Sequence, residues 1–298
     1  NFGRRPLAGA VRFRLRAGAV DGTLLTTLEQ PVALKPGATL AVQCSWPLPA
    51  GAPDFVHVTA ELSAGERLLD SEANAFVVWT PAVLAAGPRV TQDGTRFQIA
   101  GRAQFLMGSQ TYWGQNGAVT ARSPLAFDRD YRQMRDYGLT WTRCFVPFKT
   151  EEDKRISDAM VQLAQKYGIV FYHTPNLHNT ADPAELAQQA ATAGEIATRY
   201  RDVPGLAVDI CNEPVFRRDD AGLAKHLGRD LRTTGPWEDL GAAACWRGTA
   251  AAQRSWATGN RAAIRAADPA RSVSVGWSQG WAGGDGMKDP ILASLDLD

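Results

Sequence analysis

Cysteine is scarce: Cys44, Cys144, Cys211 and Cys245 are the only four in 298 residues, and none belongs to a CxxC pair. Such wide spacing argues against a zinc site and a dense disulfide framework, so free thiols are expected. Cys144 and Cys211 each fall at the end of an expected strand, where a small buried residue serves packing, and no positioned base is visible that would favour a catalytic thiol. An excess of charge of one sign is also missing. Lys and Arg number 32 against 31 Asp and Glu, a formal net charge of +1, with the two signs interspersed. That balance carries no footprint for nucleic acid or an anionic membrane surface and points to neutral partners. No apolar run reaches the length of a membrane span, and the opening NFGRRPLAG lacks the hydrophobic segment and cleavage site of a signal peptide. The chain begins with Asn1 and not Met, so this end reads as a cut inside a longer chain or as a processed terminus. No glycine-rich phosphate loop follows any expected strand, which disfavours a nucleotide-binding doubly wound sheet.

What is present is a change of pattern along the chain. With 45% hydrophobic residues the sequence can bury a sizeable core. Residues 1–80 read as all-β: stretches 11–16, 40–46 and 55–62 alternate apolar and polar, separated by the turn-rich LKPGAT, PAGAPD and SAGER. This spacing predicts a small antiparallel sandwich, with Trp46 and Trp79 more readily core residues than a sugar platform. Residues 81–104 form a linker and a hairpin turning at Asp93-Gly94. From 105 to 298 strands alternate with helices: strands over 105–108, 139–146, 169–173, 205–211 and 272–276, and helices over 127–137, 156–167, 184–200 and 250–267. Gly138 and Gly168 stop the first two helices. The alternation implies βαβ units and a parallel sheet, without choosing between a barrel and a doubly wound sheet.

The chemistry concentrates in RYRDVPGLAVDICNEP, residues 199–214. A helix ends, Asp202-Val203-Pro204 makes the stop, and an apolar run broken only by Asp209 leads to Asn212 and Glu213. Pro214 keeps Glu213 extended and ends ladder pairing. A carboxylic acid at the carboxyl end of a buried parallel strand sits where barrel enzymes build active sites, and burial there would raise its pKa.

FLMGSQTYW, YGLTWTRCFVPF, KYGIVFYHTPN, RYRDVPGLAVDICNEP and SVSVGW, in this order, resemble strands one to five of the clan A retaining glycoside hydrolases of family 5 or family 2 type. The resemblance implies a (β/α)8 TIM barrel, incomplete in this chain, preceded by an immunoglobulin-like β-sandwich, and an enzyme that hydrolyses β-linked sugars. It implies Glu213 as the acid/base and Asn212 on the sugar 2-hydroxyl. Arg143 would hold the nucleophile ionised. His173 would bind substrate, with His178 as its rival, and Tyr112, Trp113, Trp277 and Trp281 would stack on sugar rings. The partner would be a carbohydrate substrate, and neither metal nor organic cofactor is implied; His173, His178 and Asp182 have spacing that suits a metal poorly. The chain departs from the pattern in one respect. A retaining mechanism needs a second carboxylate about 5 Å from the first, yet the only glutamate after Glu213 is Glu238, in the long 215–246 insertion. LASLDLD reads like the start of a sixth strand, so the nucleophile is expected beyond this sequence, with Asp285 as a weaker substitute. A second reading is a carbohydrate-binding or degenerate protein that kept the cleft without turnover.

Overall fold

The computed structural model describes residues 4–93, 96–111, 123–212, 214, 224–225, 228 and 250–276. Four long strands come first: β1 (Leu7–Ala17), β2 (Leu24–Leu34), β3 (Phe55–Ala64) and β4 (Arg67–Val77), in an antiparallel sheet of order β2-β1-β3-β4. Alternation fixes its two faces. Arg12 and Arg14 pair with Glu29 and Glu61 on one face, while Phe13, Leu15, Val58 and Phe76 point to the other.

The expected strand over 40–46 pairs with no other strand. It runs over the Phe13 and Leu15 face, with the Trp46 ring 6.2 Å from that of Phe76. Pro47 and Pro49, which donate no hydrogen bond, follow it directly. Among the described residues, then, this part of the chain forms one sheet with an extended cover, and the second sheet of a sandwich is not seen. Trp79 packs against Tyr200 instead of joining Trp46.

The opposite face, through Phe55 and Ala75, belongs to the same buried cluster as the helices that follow. Lys166 Nζ lies 2.6 Å from Asp54 Oδ2, and the buried Gln162 accepts from Thr80 N (2.7 Å) and donates to Val78 O (2.8 Å). After a short helix α1 (Pro81–Ala85), the hairpin forms as expected from β5 (Val90–Asp93) and β6 (Arg96–Ile99), with Asp93 opposite Arg96; β7 (Arg102–Ala103) extends it.

The second sheet holds β8 (Gly108–Thr111), β9 (Trp141–Phe145), β10 (Val170–Thr174), β11 (Leu206–Asn212) and β12 (Val273–Gly276). All neighbours are parallel and the order is β12-β11-β10-β9-β8. A doubly wound sheet reverses its strand order at a switch point. Here the order never reverses, so the sheet is singly wound and each crossover advances the same way. The connecting helices are α2 (Pro124–Asp136), α3 (Glu151–Lys166), α4 (Pro183–Arg199) and α5 (Ala250–Ala267). Thr150 and Asp153 form a capping box on α3, and Asp182 caps α4. Arg271, just before β12, donates to the carbonyls of Tyr200, Val203 and Leu206 and so pins the turn that launches β11. No helix among the described residues is long and apolar enough to cross a membrane.

His173 lies between the sheet and the helices, fully buried, with Nε2 2.9 Å from Ser157 Oγ and its ring against Phe148, Phe171 and Tyr200. Burial pushes its pKa from 6.5 down to about 3. The unfolded chain therefore binds one more proton than the folded one between these values, and stability must fall as pH drops through this window. Urea denaturation of the wild type should show that acid limb. His173→Phe, which keeps an aromatic ring in the pocket, should flatten it; an unaltered slope would mean that the imidazole stays protonated in the core.

Candidate active site

The strand register decides which side chains share a face. Arg143 on β9 pairs with Tyr172 on β10, and Asp209 on β11 pairs with Ser274 on β12. Alternation puts their neighbours Thr142, Cys144 and His173 on the helix side. A register shift between Asp209 and Asn212 then brings Asn212 opposite Gly276, returning it to the Arg143 side.

The result is one connected polar cluster near the carboxyl ends of the strands. Asp209 Oδ2 accepts from Arg143 Nε at 2.8 Å and also from Nη2. Thr174 Oγ1 donates to the same oxygen at 3.1 Å, and Ser274 Oγ donates to Oδ1 at 3.2 Å. Tyr172 OH donates to Ser274 Oγ at 2.5 Å. Arg143 Nη1 reaches across to Asn212 Oδ1 at 2.7 Å. The guanidinium carbon lies 5.2 Å from the Phe145 ring centre, close enough for a cation–π contribution. Gly276 matters here for its missing side chain: a Cβ built on it would overlap the guanidinium. Asn212 N donates to Asn176 Oδ1 at 3.2 Å, and Asn176 has a left-handed backbone (φ 53).

Electrostatically, the cluster is a buried ion pair. The Asp209 side chain is 1% exposed and that of Arg143 13%. Burial raises the Asp209 pKa above its ordinary value, opposed by Arg143 and the two hydroxyls. Cys211 Sγ lies 3.8 Å from His178 Nδ1, but burial pushes its thiol up to about 12, so it is an inert thiol.

Of the residues expected from sequence, the structure brings Arg143 and Asn212 together. It turns His173 away, because residue 173 has the opposite strand parity from residue 172 and faces Ser157. His178 borders a separate polar cleft of about 460 Å³ with Lys149, Glu185 and Gln189, and Asp182 is engaged in capping α4. Among the described residues no three His, Cys, Asp or Glu side chains are grouped to hold a metal. Glu213, Tyr112, Trp113, Trp277, Trp281, Glu238 and Asp285 lie outside the described residues, as does the 215–246 insertion apart from residues 224–225 and 228 and a buried Pro214 before it. Among the described residues a cleft of about 770 Å³ lies between the hairpin and Trp141, Val170 and Ala207 and reaches Tyr172 and Ser274 of the polar cluster; its wall is largely apolar and includes no carboxylate.

Sequence reasoning missed Asp209, Thr174 and Ser274. The signal for Asp209 was there: one acid in the otherwise apolar run LAVDIC, which cannot stay ionised in a core without a partner.

No protein-family model matches this chain, and no curated protein matches it. Similar solved structures include a β-glucuronidase of Bacteroides uniformis, with 17% identity over 98% of this chain and 35% of that one, TM-score 0.45. Another is the Parabacteroides merdae β-glucuronidase, with 13% identity over 92% of this chain and 29% of that one, TM-score 0.44. A third is a putative β-galactosidase of Bacteroides fragilis, with 14% identity over 92% and 35%, TM-score 0.38. The chain thus spans 29–35% of the length of these structures.

Removing one partner of a buried ion pair strands the other's charge. Arg143→Met and Asp209→Leu should therefore each cost about 3–5 kcal/mol in chemical denaturation, while the double variant costs much less than their sum. Additive losses would show that the two charges are not coupled.

Proposed function

We propose that this chain carries the acid/base half of a retaining β-glycoside hydrolase site. In this reading residues 1–80 are an immunoglobulin-like module, residues 81–104 a linker with a hairpin, and residues 105–298 part of a (β/α)8 barrel. The singly wound parallel sheet supports the barrel. The observation that carries the function is the Arg143–Asn212 hydrogen bond across the ends of two strands, with Glu213 next in sequence. A carboxylic acid can supply the acid assistance that glycosidic bond cleavage uses, and an anchored amide beside it can bond the sugar 2-hydroxyl.

Glu213 donates its proton to the glycosidic oxygen as the bond to the sugar breaks, and then takes a proton from the water that releases the sugar. Asn212 hydrogen-bonds the 2-hydroxyl, a contact that strengthens in the transition state. The second carboxylate, the nucleophile, is assigned to sequence outside these residues. Arg143 helps to keep that group ionised, a role moderated by Asp209, since the guanidinium already faces a buried countercharge. Tyr112, Trp113 and Trp277, which follow β8 and β12 in sequence, are assigned to stacking on sugar rings. His173 has no part in this reading.

The test is hydrolysis of a panel of aryl β-glycosides with good and poor leaving groups, by the full-length protein, its Glu213→Gln variant and the 298-residue chain. Glu213→Gln should lower kcat/KM on poor leaving groups by about 10²–10⁴-fold and far less on good ones, which need little protonation. Full activity of Glu213→Gln on poor leaving groups would remove Glu213 from the mechanism. Sugar binding without turnover on any member would replace the hydrolase reading by that of a non-catalytic carbohydrate binder.

A further inference from the structure

An asparagine amide presents an acceptor on one side and two donors on the other, and its use as a contact depends on which way it is turned. A guanidinium has no acceptor. The group of Asn212 that meets Arg143 Nη1 at 2.7 Å must therefore be Oδ1, which leaves the Nδ2 hydrogens for the opposite side. Asn212 cannot flip while Arg143 stays where it is.

Arg143 is kept there by Asp209. The carboxylate takes both Nε and Nη2 on one oxygen, fixing the plane of the guanidinium and leaving Nη1 as the arm that extends to Asn212. Asp209 is itself fixed by Thr174 and Ser274, and Ser274 by Tyr172. Gly276 leaves the space that this pose needs. Asp209 is fully buried, so it acts on a ligand only through these neighbours.

We propose that Asp209 is a positioning residue that, through Arg143, locks the Asn212 amide with Nδ2 outward, so that the site demands a hydrogen-bond acceptor on the sugar carbon next to the scissile bond. The inference rests on the hydrolase reading above. It defines the substrate class: a glycoside with a neutral oxygen there is accepted. An analogue with no oxygen, or with an ammonium that can only donate, is disfavoured.

The experiment compares, in the full-length protein, the aryl β-glycoside it cleaves with the 2-deoxy and 2-amino-2-deoxy counterparts. The preference is the kcat/KM ratio of hydroxylated to deoxy substrate, and comparing that ratio between variants cancels the intrinsic reactivity of each glycoside. Asn212→Ala gives the full size of the contact. Asp209→Asn should reduce the preference by about tenfold, the worth of one hydrogen bond in a buried site, and the change it makes to both substrates alike through Arg143 cancels in the ratio. It should also narrow the gap between the hydroxylated and amino substrates, because a freed amide can turn its oxygen outward. Ser274→Ala and Thr174→Val, which keep the ion pair, should shift the preference in the same direction by less; they carry the test if Asp209→Asn does not fold.

Equal losses on hydroxylated and deoxy substrates in these variants would overturn the proposal, since a merely structural defect lowers both alike. A hydroxylated-to-deoxy ratio that Asn212→Ala leaves unchanged in an active enzyme would overturn it too, while leaving the hydrolase reading intact. A wild type inactive on every glycoside would instead mean that the hydrolase reading itself has failed.

Discussion

One guanidinium facing one carboxylate inside a parallel sheet sets the constraints that the surrounding residues meet. Arg143 and Asp209 lie on β9 and β11, two strands that are not adjacent. Between them runs β10, which contributes Thr174 to the same carboxylate, and beyond them β12 contributes Ser274. Four consecutive strands are thereby held in register by side chains as well as by the ladder. A charge in this place is expensive unless paired and hydrogen-bonded. Each oxygen of Asp209 has a donor, and Gly276 removes the atoms that would collide with the cation.

That arrangement depends in turn on the winding of the sheet. Because the strands follow one another in space as they do in sequence, their carboxyl ends lie along one rim, and residues at corresponding positions converge. The turn before β11 is fixed from below by the buried Arg271, which holds the carbonyls of Tyr200, Val203 and Leu206. The N-terminal sheet is joined to the same core through Phe55, Ala75 and the Gln162 hydrogen bonds, so its packing supports α3 and, through α3, β10.

The order of elements was legible in the sequence because each element declares itself locally. Helical periods ended by Gly138 and Gly168, both with positive φ, and short apolar strands between them are enough to place β9 to β12 and three of the helices to within a few residues. Two features were not legible, for a common reason. His173 and Tyr172 both sit in KYGIVFYHTPN, and only the pairing with Arg143 decides which of them faces the polar cluster. Asp209 looked like an interruption of a strand because its partner is remote in sequence. The stretch 40–46 failed differently: its alternation is real, yet it serves one apolar face by lying across it and not by pairing with a neighbour. Periodicity reports which faces are buried; it does not report what covers them.

A buried pair of this kind contributes little to net stability, because the attraction gained is largely offset by the water lost from both charges. The raised pKa of Asp209 is the trace of that offset, since burial outweighs the combined pull of Arg143 and two hydroxyls. An apolar pair of similar volume would fill the same space without the cost. What an apolar pair cannot supply is direction. A methionine in place of Arg143 would fill similar volume beside Phe145, yet it would leave the Asn212 amide free to turn. The consequence of the Arg143–Asp209 pair is therefore geometric. It fixes one donor group at the end of β11, one residue before the acid of the Asn-Glu-Pro sequence, in a core that would otherwise set only its volume.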